Sequence, residues 1–242
     1  MSKKFKLGVV GDPIEHSLSP FIHSRFSRNE NINLNYLAYR VNNDELDIFI
    51  KEFFQDKEAK GLNITLPHKK RAALLEGKIS QEARYINAVN TIVKENDKLH
   101  LFSTDGAGFI NDIENKKFNL KNKNILIIGA GAAVESILYR VATAKPMKIT
   151  VINRTIEKAD RLIRKFGNMT KIRSEAEIDR PFDLVINGSS AGLTGDFFPE
   201  ENIPLTSKTY FYDLNYSLTE TPFCKWANEK SDNVYDGMGM LV

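Results

Sequence analysis

NILIIGAGAAVESILYRVATAKPMKITVINR, residues 124–154, reads as strand, glycine turn, helix and strand. The apolar run Ile125 to Ile128 is the length of a buried strand, and Gly129-Ala130-Gly131 breaks it. Val134, Ile137, Leu138 and Val141 then recur at helical spacing, and Ile149 to Ile152 is a second β-rich run. In such a βαβ unit Gly129 permits the tight turn, and Gly131 lets the backbone approach a pyrophosphate lying on the helix N-terminus. The stretch therefore predicts a dinucleotide site on a Rossmann-like parallel sheet. The third fingerprint position usually holds Gly or Ala so that helix and strand close, but here it is Val134. The helix is accordingly expected to stand slightly farther out.

The end of the second strand bears on which dinucleotide. A site for NAD normally places Asp or Glu there to hold the ribose 2′-hydroxyl. This chain has Asn153-Arg154-Thr155, with Lys158 one turn on. A carboxylate repels a 2′-phosphate, whereas a guanidinium binds one bidentately and a hydroxyl adds a donor. The expected cofactor is NADP(H). An isolated Arg is ordinarily just a solvated strand-end residue; it is the position of Arg154 that points to the phosphate.

Composition sets the outer bounds. With 242 residues, 42% of them hydrophobic and 27% charged, the chain has enough apolar material for one large domain or two modest ones. A net charge of +3, with Lys and Arg interleaved among Asp and Glu, argues against a nucleic-acid footprint or a polybasic membrane patch. The single cysteine, Cys224, permits no internal disulfide and reads as a packed residue. His16, His23, His68 and His100 lack metal-ligand spacing, so no metal is expected. The apolar run after the basic N-terminus breaks at Gly8 and Gly11, too short for a signal segment or a membrane span. A soluble, cytoplasmic protein is expected.

Upstream, strands are expected over Phe5 to Val10, Asn35 to Val41 and Lys60 to Thr65, with helices after Ser19 and over Asn43 to Phe54. The alternation implies a mostly parallel sheet, with functional groups at the carboxyl ends of its strands. Ser19 reads as an N-cap with Pro20 at N1, and Ser17 and Ser19 together also suit a small carboxylate. After the third strand, Pro67 is expected to open a helix, which puts Asn63, Thr65 and either Lys69 or Lys70 on the sheet rim; spacing does not choose between the lysines. A short helix around Gln81 to Tyr85 and a hairpin of Thr91 to Lys94 with Lys98 to Phe102 follow. Asp105 stands at the start of a further helix as a cap or a functional carboxylate. The polar segment Asn115 to Asn124, with that helix, reads as a domain junction. Phe182 to Asn187 and Tyr210 to Leu214 are further strands, and Gly188-Ser189-Ser190-Ala191-Gly192 suits the wall of a cofactor groove.

Several motifs in one order carry a family resemblance. They are Gly11-Asp12-Pro13, His16-Ser17-x-Ser19-Pro20-x-x-His23, Asn63-Ile64-Thr65-Leu66-Pro67-x-Lys69, Ala88-Val89-Asn90-Thr91 and Thr104-Asp105-Gly106. Gly129-Ala130-Gly131, Asn153-Arg154-Thr155, Tyr212-Asp213, Thr221-Pro222-Phe223 and Asp236-Gly237-Met238-Gly239-Met240 follow. The set resembles the shikimate dehydrogenases over nearly the whole chain. Asn87 and Ala132 stand where that family usually has Gly, and Ser103 where it has Asn. Asn tolerates left-handed backbone, so Asn87 is expected to keep its turn.

The resemblance implies reversible reduction of 3-dehydroshikimate to shikimate by NADPH, on the route to chorismate and the aromatic amino acids. It also covers paralogues that accept quinate, and a non-catalytic NADP-binding sensor on the same fold is the alternative from another class. It implies two α/β domains, residues 1–104 for substrate and catalysis and 105–242 for NADP, with a cleft between them toward which the tail at 237–242 returns. It selects Lys69 over Lys70 and pairs it with Asp105 in catalysis. Substrate would meet Ser17 and Ser19 through its carboxylate, and Asn63, Thr65, Asn90 and Tyr216 elsewhere; a core-packing tyrosine is the plain reading of Tyr216. NADP would meet Gly129, Ala130, Gly131, Ala132, Ala133, Asn153, Arg154, Thr155, Lys158, Asn187, Ser189, Gly237 and Met240. Partners are then small molecules, and the protein a monomer or homodimer. Family members continue past the position of Val242 into a helix that opens with a substrate-binding Gln.

Overall fold

The structure is a computed structural model that describes residues 4–174, 180–190, 197 and 203–242. It divides into two compact units, Met1–Thr104 and Asp105–Val242. The division falls before the helix that precedes the polar segment 115–124, so that segment lies inside the second unit.

The first unit runs β1 (Lys4–Gly11), α1 (Ser19–Asn29), β2 (Asn33–Arg40), a 3-10 turn (Asn43–Glu45), α2 (Leu46–Phe53), β3 (Ala59–Ile64), α3 (Lys69–Ala72), β4 (Lys78–Ile79), α4 (Gln81–Ile86), β5 (Thr91–Glu95) and β6 (Lys98–Phe102). Its sheet has the order β2-β1-β3-β5-β6-β4. β1 pairs parallel with β2 and β3, whereas the β5–β6 hairpin joins β3 antiparallel. That reversal brings the start of β5 beside the end of β3, with Asn63 opposite Thr91. Leu46, Ile50 and Phe53 recur at helical spacing, so α2 buries that stripe against Val10, Leu62, Ile64 and Ile92 of the sheet. Ser80 caps α4 by accepting the Ala83 N–H at 3.2 Å. Asn87 closes it at φ 57°, the left-handed turn that Asn tolerates.

The second unit runs α5 (Asp105–Asn115), β7 (Asn124–Ile128), α6 (Ala132–Thr143), β8 (Lys148–Ile152), α7 (Ile156–Phe166), β9 (Ile172–Arg173), β10 (Leu184–Asn187), β11 (Tyr210–Asp213), α8 (Pro222–Asn228), β12 (Val234–Tyr235) and α9 (Met238–Leu241). All pairings among its described strands are parallel, in the order β12-β11-β10-β7-β8-β9. β7, first in sequence, lies between β8 and β10, so the strand order reverses at its carboxyl end, where ligands bind in such sheets. Strand, turn, helix and strand follow one another as the sequence predicts, and Val134, Ile137, Leu138 and Val141 are all buried. No helix among the described residues is long and apolar enough to cross a membrane.

Two local expectations need correction. The N-cap of α1 is Leu18, not Ser19; Ser19 and Pro20 are its first residues, and the Ser17 hydroxyl accepts the Ser19 N–H at 3.3 Å. Pro67 does not open α3. The His68 N–H donates to the Thr65 carbonyl at 2.9 Å, and the helix begins after that turn, at Lys69.

Candidate active site

In the first unit the polar candidates converge on one rim of the sheet. β1 ends at Gly11 and leads to Ser17 and Ser19, while β3 ends at Ile64 and leads to Thr65 and Lys69. The Thr65 N–H donates to the Val10 carbonyl at 2.9 Å, and the Ile64 N–H to Asn90 at 2.7 Å. The Val89 N–H donates to the Lys69 carbonyl at 2.9 Å. Four segments, the ends of β1 and β3, the start of α3 and residues 89–90, are thereby laced together, because a sheet with β3 between parallel β1 and antiparallel β5 puts two carboxyl ends beside one amino end.

The side chains there are oriented by neighbours. Tyr36 of β2 donates its hydroxyl to Asn63 Oδ1 at 2.7 Å, which leaves the Asn63 amide protons to donate elsewhere. The Tyr36 ring stacks on His23 with centroids 4.1 Å apart, and burial pushes its phenol well above the ordinary tyrosine range, so it stays a neutral donor. Burial likewise lowers the His23 pKa. Asn90 Oδ1 accepts the Thr104 N–H and the Thr91 hydroxyl, both at 2.9 Å. Tyr36 does not stand out in the sequence, and Thr104 does so only within the Thr104-Asp105-Gly106 motif. Only the register of β2 against β1, and of β1 against β3, brings Tyr36 to Asn63.

In the second unit the turn after β7 has the geometry a dinucleotide needs. Gly129 has φ +106°, and a Cβ there would come within 2.8 Å of the Gly188 and Ser189 backbone. Gly131 differs. Its φ is ordinary, and a Cβ would meet nothing nearer than the Gly188 carbonyl oxygen at 3.9 Å. The protein itself therefore does not require glycine at 131, and the space above it is open to a group approaching the backbone. Gly131 is the N-cap of α6 and no side chain caps that helix, so the residues present fit a pyrophosphate.

Val134 packs into the space that Gly188 leaves at the end of β10. It is fully buried, and its Cγ2 occupies the place of a missing Cβ at Gly188, which would stand 2.3 Å from it. The small residue that usually serves this closure lies on the neighbouring strand's end instead of on the helix. At the end of β8, Arg154, Thr155 and Lys158 are exposed, and Asn153 bends the chain by donating its side-chain amide to the Thr155 carbonyl at 2.8 Å. With no carboxylate at 153–155, this cationic strand end fits a 2′-phosphate; Glu157 follows in the first turn of α7.

Asn187 is placed differently from a direct ligand. It is buried, its Oδ1 accepts both the N–H and the hydroxyl of Ser189, and its Nδ2 donates to Asp213 at 2.9 Å. Asp213 also accepts the Thr221 hydroxyl at 2.7 Å and two bonds from Asn215. Burial raises the Asp213 pKa, against these hydrogen bonds. Ala191 and Gly192 lie outside the described residues. Tyr216 is 40% exposed, so it does not pack in a core. Gly237 and Met240 belong to a tail that docks on α5. A Cβ at Gly108 would meet the Met240 carbonyl oxygen at 2.8 Å, and one at Gly239 would collide with the Asp112 carboxylate. Asp105 is the first residue of α5. No group of His, Cys, Asp and Glu among the described residues is arranged to hold a metal.

A parallel sheet with a glycine turn at its switch point, a cationic strand end beside that turn, and a companion α/β unit presenting polar side chains and a lysine define a nucleotide-dependent oxidoreductase. Family models agree on a narrower class. Residues 9–92 match "Shikimate dehydrogenase substrate binding domain" and residues 112–194 match "Shikimate / quinate 5-dehydrogenase". The chain is 40% identical over 240 residues to a shikimate dehydrogenase (NADP(+)) of Legionella pneumophila, covering 98% of this chain and 89% of that protein. Identity to the enzyme of the same name from Hahella chejuensis is 38% over 238 residues, covering 97% and 88%. The crystal structure of a shikimate 5-dehydrogenase from Thermus thermophilus in complex with NADP(H) and shikimate superposes with a TM-score of 0.87 at 30% identity, covering 98% of this chain and 88% of that one. The chain belongs to the shikimate dehydrogenase family.

Proposed function

We propose that this chain catalyses the reversible, NADP-dependent reduction of 3-dehydroshikimate to shikimate in aromatic amino-acid biosynthesis, in the cytoplasm. The observation that carries the reading is the convergence of Ser17, Asn63, Thr65, Lys69 and Asn90 on one rim of the first sheet. On this reading residues 1–104 bind substrate and residues 105–242 bind NADP.

Each group has a chemical task. The Ser17 oxygen already accepts the Ser19 N–H, so its proton remains to be given to the substrate carboxylate, with Ser19, whose hydroxyl is hydrogen-bonded to Tyr36, beside it. Asn63 offers its amide protons to a ring hydroxyl, since its Oδ1 is engaged by Tyr36. Thr65, Asn90 and Tyr216 complete the polar surround. Bound NADPH supplies the hydride. As the carbonyl carbon is reduced, negative charge grows on its oxygen, and the Lys69 ammonium stabilises that charge and delivers a proton to the oxygen. Asp105 is the second member of the catalytic pair on this reading. For the cofactor, the backbone of Gly129, Ala130, Gly131, Ala132 and Ala133 takes the pyrophosphate. Arg154, Thr155 and Lys158 take the 2′-phosphate, with Asn153 shaping their turn. Ser189, held by Asn187, lines the groove, and Gly237 and Met240 flank the nicotinamide.

Steady-state shikimate oxidation tests the assignment. Strong preference for NADP over NAD is expected, and Lys69→Ala should lower kcat far more than it weakens shikimate binding. Unchanged turnover in that variant would remove Lys69 from the chemistry.

A further inference from the structure

Immediately before Lys69 stands a histidine that the proposed chemistry leaves unused. His68 has 0% exposure, yet its ring is polar at both ends. Nε2 lies 2.8 Å from the Val41 carbonyl oxygen, just past the end of β2, and Nδ1 lies 3.3 Å from the Asn43 carboxamide. A carbonyl only accepts, so Nε2 carries a proton. Although His68 is the N-cap of α3, its side chain makes no cap bond to that helix. The ring instead reaches across to the β2 end, whose Val41 N–H is bonded to the Gly11 carbonyl at 3.3 Å.

The consequence falls on the next residue. The His68 N–H is held by the Thr65 carbonyl at 2.9 Å, its own carbonyl accepts the Ala72 N–H at 2.9 Å, and Lys69 accepts from Val89. These bonds run along α3 and to the β5 side. The two contacts of the imidazole run the other way, from this turn toward the end of β2. A phenylalanine would fill the same volume by contact alone, whereas a hydrogen bond at a fixed distance sets one orientation and one depth.

We propose that His68 is a positioning residue for the reaction: by donating its Nε2 proton to the Val41 carbonyl, it anchors the start of α3 to the end of β2 and so fixes where the Lys69 ammonium stands. This rests on Lys69 being the group that delivers the proton. Displacing a catalytic group by about 1 Å costs on the order of 100-fold in rate, so the effect belongs in kcat.

The test uses the full chain with NADPH and 3-dehydroshikimate. Calorimetric titration with shikimate supplies the number of binding-competent sites, to which kcat is referred. His68→Phe should lower kcat per site by about 10- to 100-fold while the affinity for shikimate changes by less than about threefold. His68→Gln, whose amide nitrogen can take the place of Nε2, should recover most of the loss. If kcat per site is unaltered in His68→Phe, or if Gln is as poor as Phe, the inference is wrong. Should the Phe variant not fold, Asn43→Ala at an exposed position carries the test by removing the Nδ1 neighbour. A fall of about three- to tenfold in kcat per site is then expected, and none refutes it. Lys69→Ala, run alongside, separates the two claims. If its turnover survives, the role of Lys69 fails; if it collapses while the His68 and Asn43 variants stay at full rate, only the positioning role fails.

Discussion

Replacing Gly188 by alanine probes how α6 closes on its sheet. The new methyl would stand 2.3 Å from Val134 Cγ2 and 3.0 Å from Leu214 Cδ1. Gly188 does not lie in the left-handed region, so the cost is steric and not conformational. Overpacking of this kind costs about 1–3 kcal/mol. Val134→Ala alone removes two methyl groups from a fully buried site and costs about 2 kcal/mol. In the double variant the clash with Val134 disappears, leaving only the tight contact with Leu214, and the methyl at 188 refills part of the hole. The summed loss of about 4 kcal/mol should therefore shrink to about 1–2, a coupling of about 2–3 kcal/mol. Trp226, the only tryptophan of the chain, packs on Phe211 and Phe223 in the same unit, so its fluorescence in urea reports the unfolding of that unit. With a urea dependence of about 2 kcal/mol per molar, each single variant should lower the midpoint by about 1 M. Single effects that simply add, within about 0.5 kcal/mol, would refute the idea that Gly188 exists to admit Val134.

Two further outcomes follow from the second unit. Arg154→Ala should raise KM for NADP by about 10- to 100-fold and leave KM for NAD nearly unchanged, the signature of a lost charge-assisted contact to the 2′-phosphate; equal changes for the two cofactors would place Arg154 elsewhere. Cys224 is buried, and burial pushes its thiol up to about 11, so at pH 8 about one thiol in a thousand is ionised. A disulfide-exchange reagent should react with native protein at least about 100-fold more slowly than with urea-unfolded protein, and comparable rates would mean that the thiol is accessible.

The elements legible in the sequence are those whose signals are local. The β7-turn-α6-β8 unit announces itself through four consecutive apolar residues, two glycines and a helical stripe, all within a single stretch. Arg154 is legible for the same reason, since its place is counted from the turn. Two-residue strands such as β4, β9 and β12 show no periodicity and form only because a neighbouring strand offers its edge. The cap of α1 falls one residue before the predicted one because Leu18 takes that place with no side-chain bond, while Ser17, a residue earlier, accepts the Ser19 N–H. Val134 is a defect in the fingerprint only as long as Gly188, remote in sequence, is left out; the missing side chain there makes room for it. Tyr36 and His68 bond to partners remote in sequence, Asn63 on β3 and Val41 just past β2, which no spacing rule connects to them.

Asp213 bears on how mutational data for this fold are read. One buried carboxylate accepts bonds from Asn187, Asn215 and Thr221, and so holds the loop after β10, the loop after β11 and the first turn of α8 to one reference point. A scan scored by growth or by cofactor affinity would rank Asp213 with the ligand-binding positions, although its two oxygens are turned inward. An inhibitor programme built on such a ranking would aim at an atom that no ligand can reach.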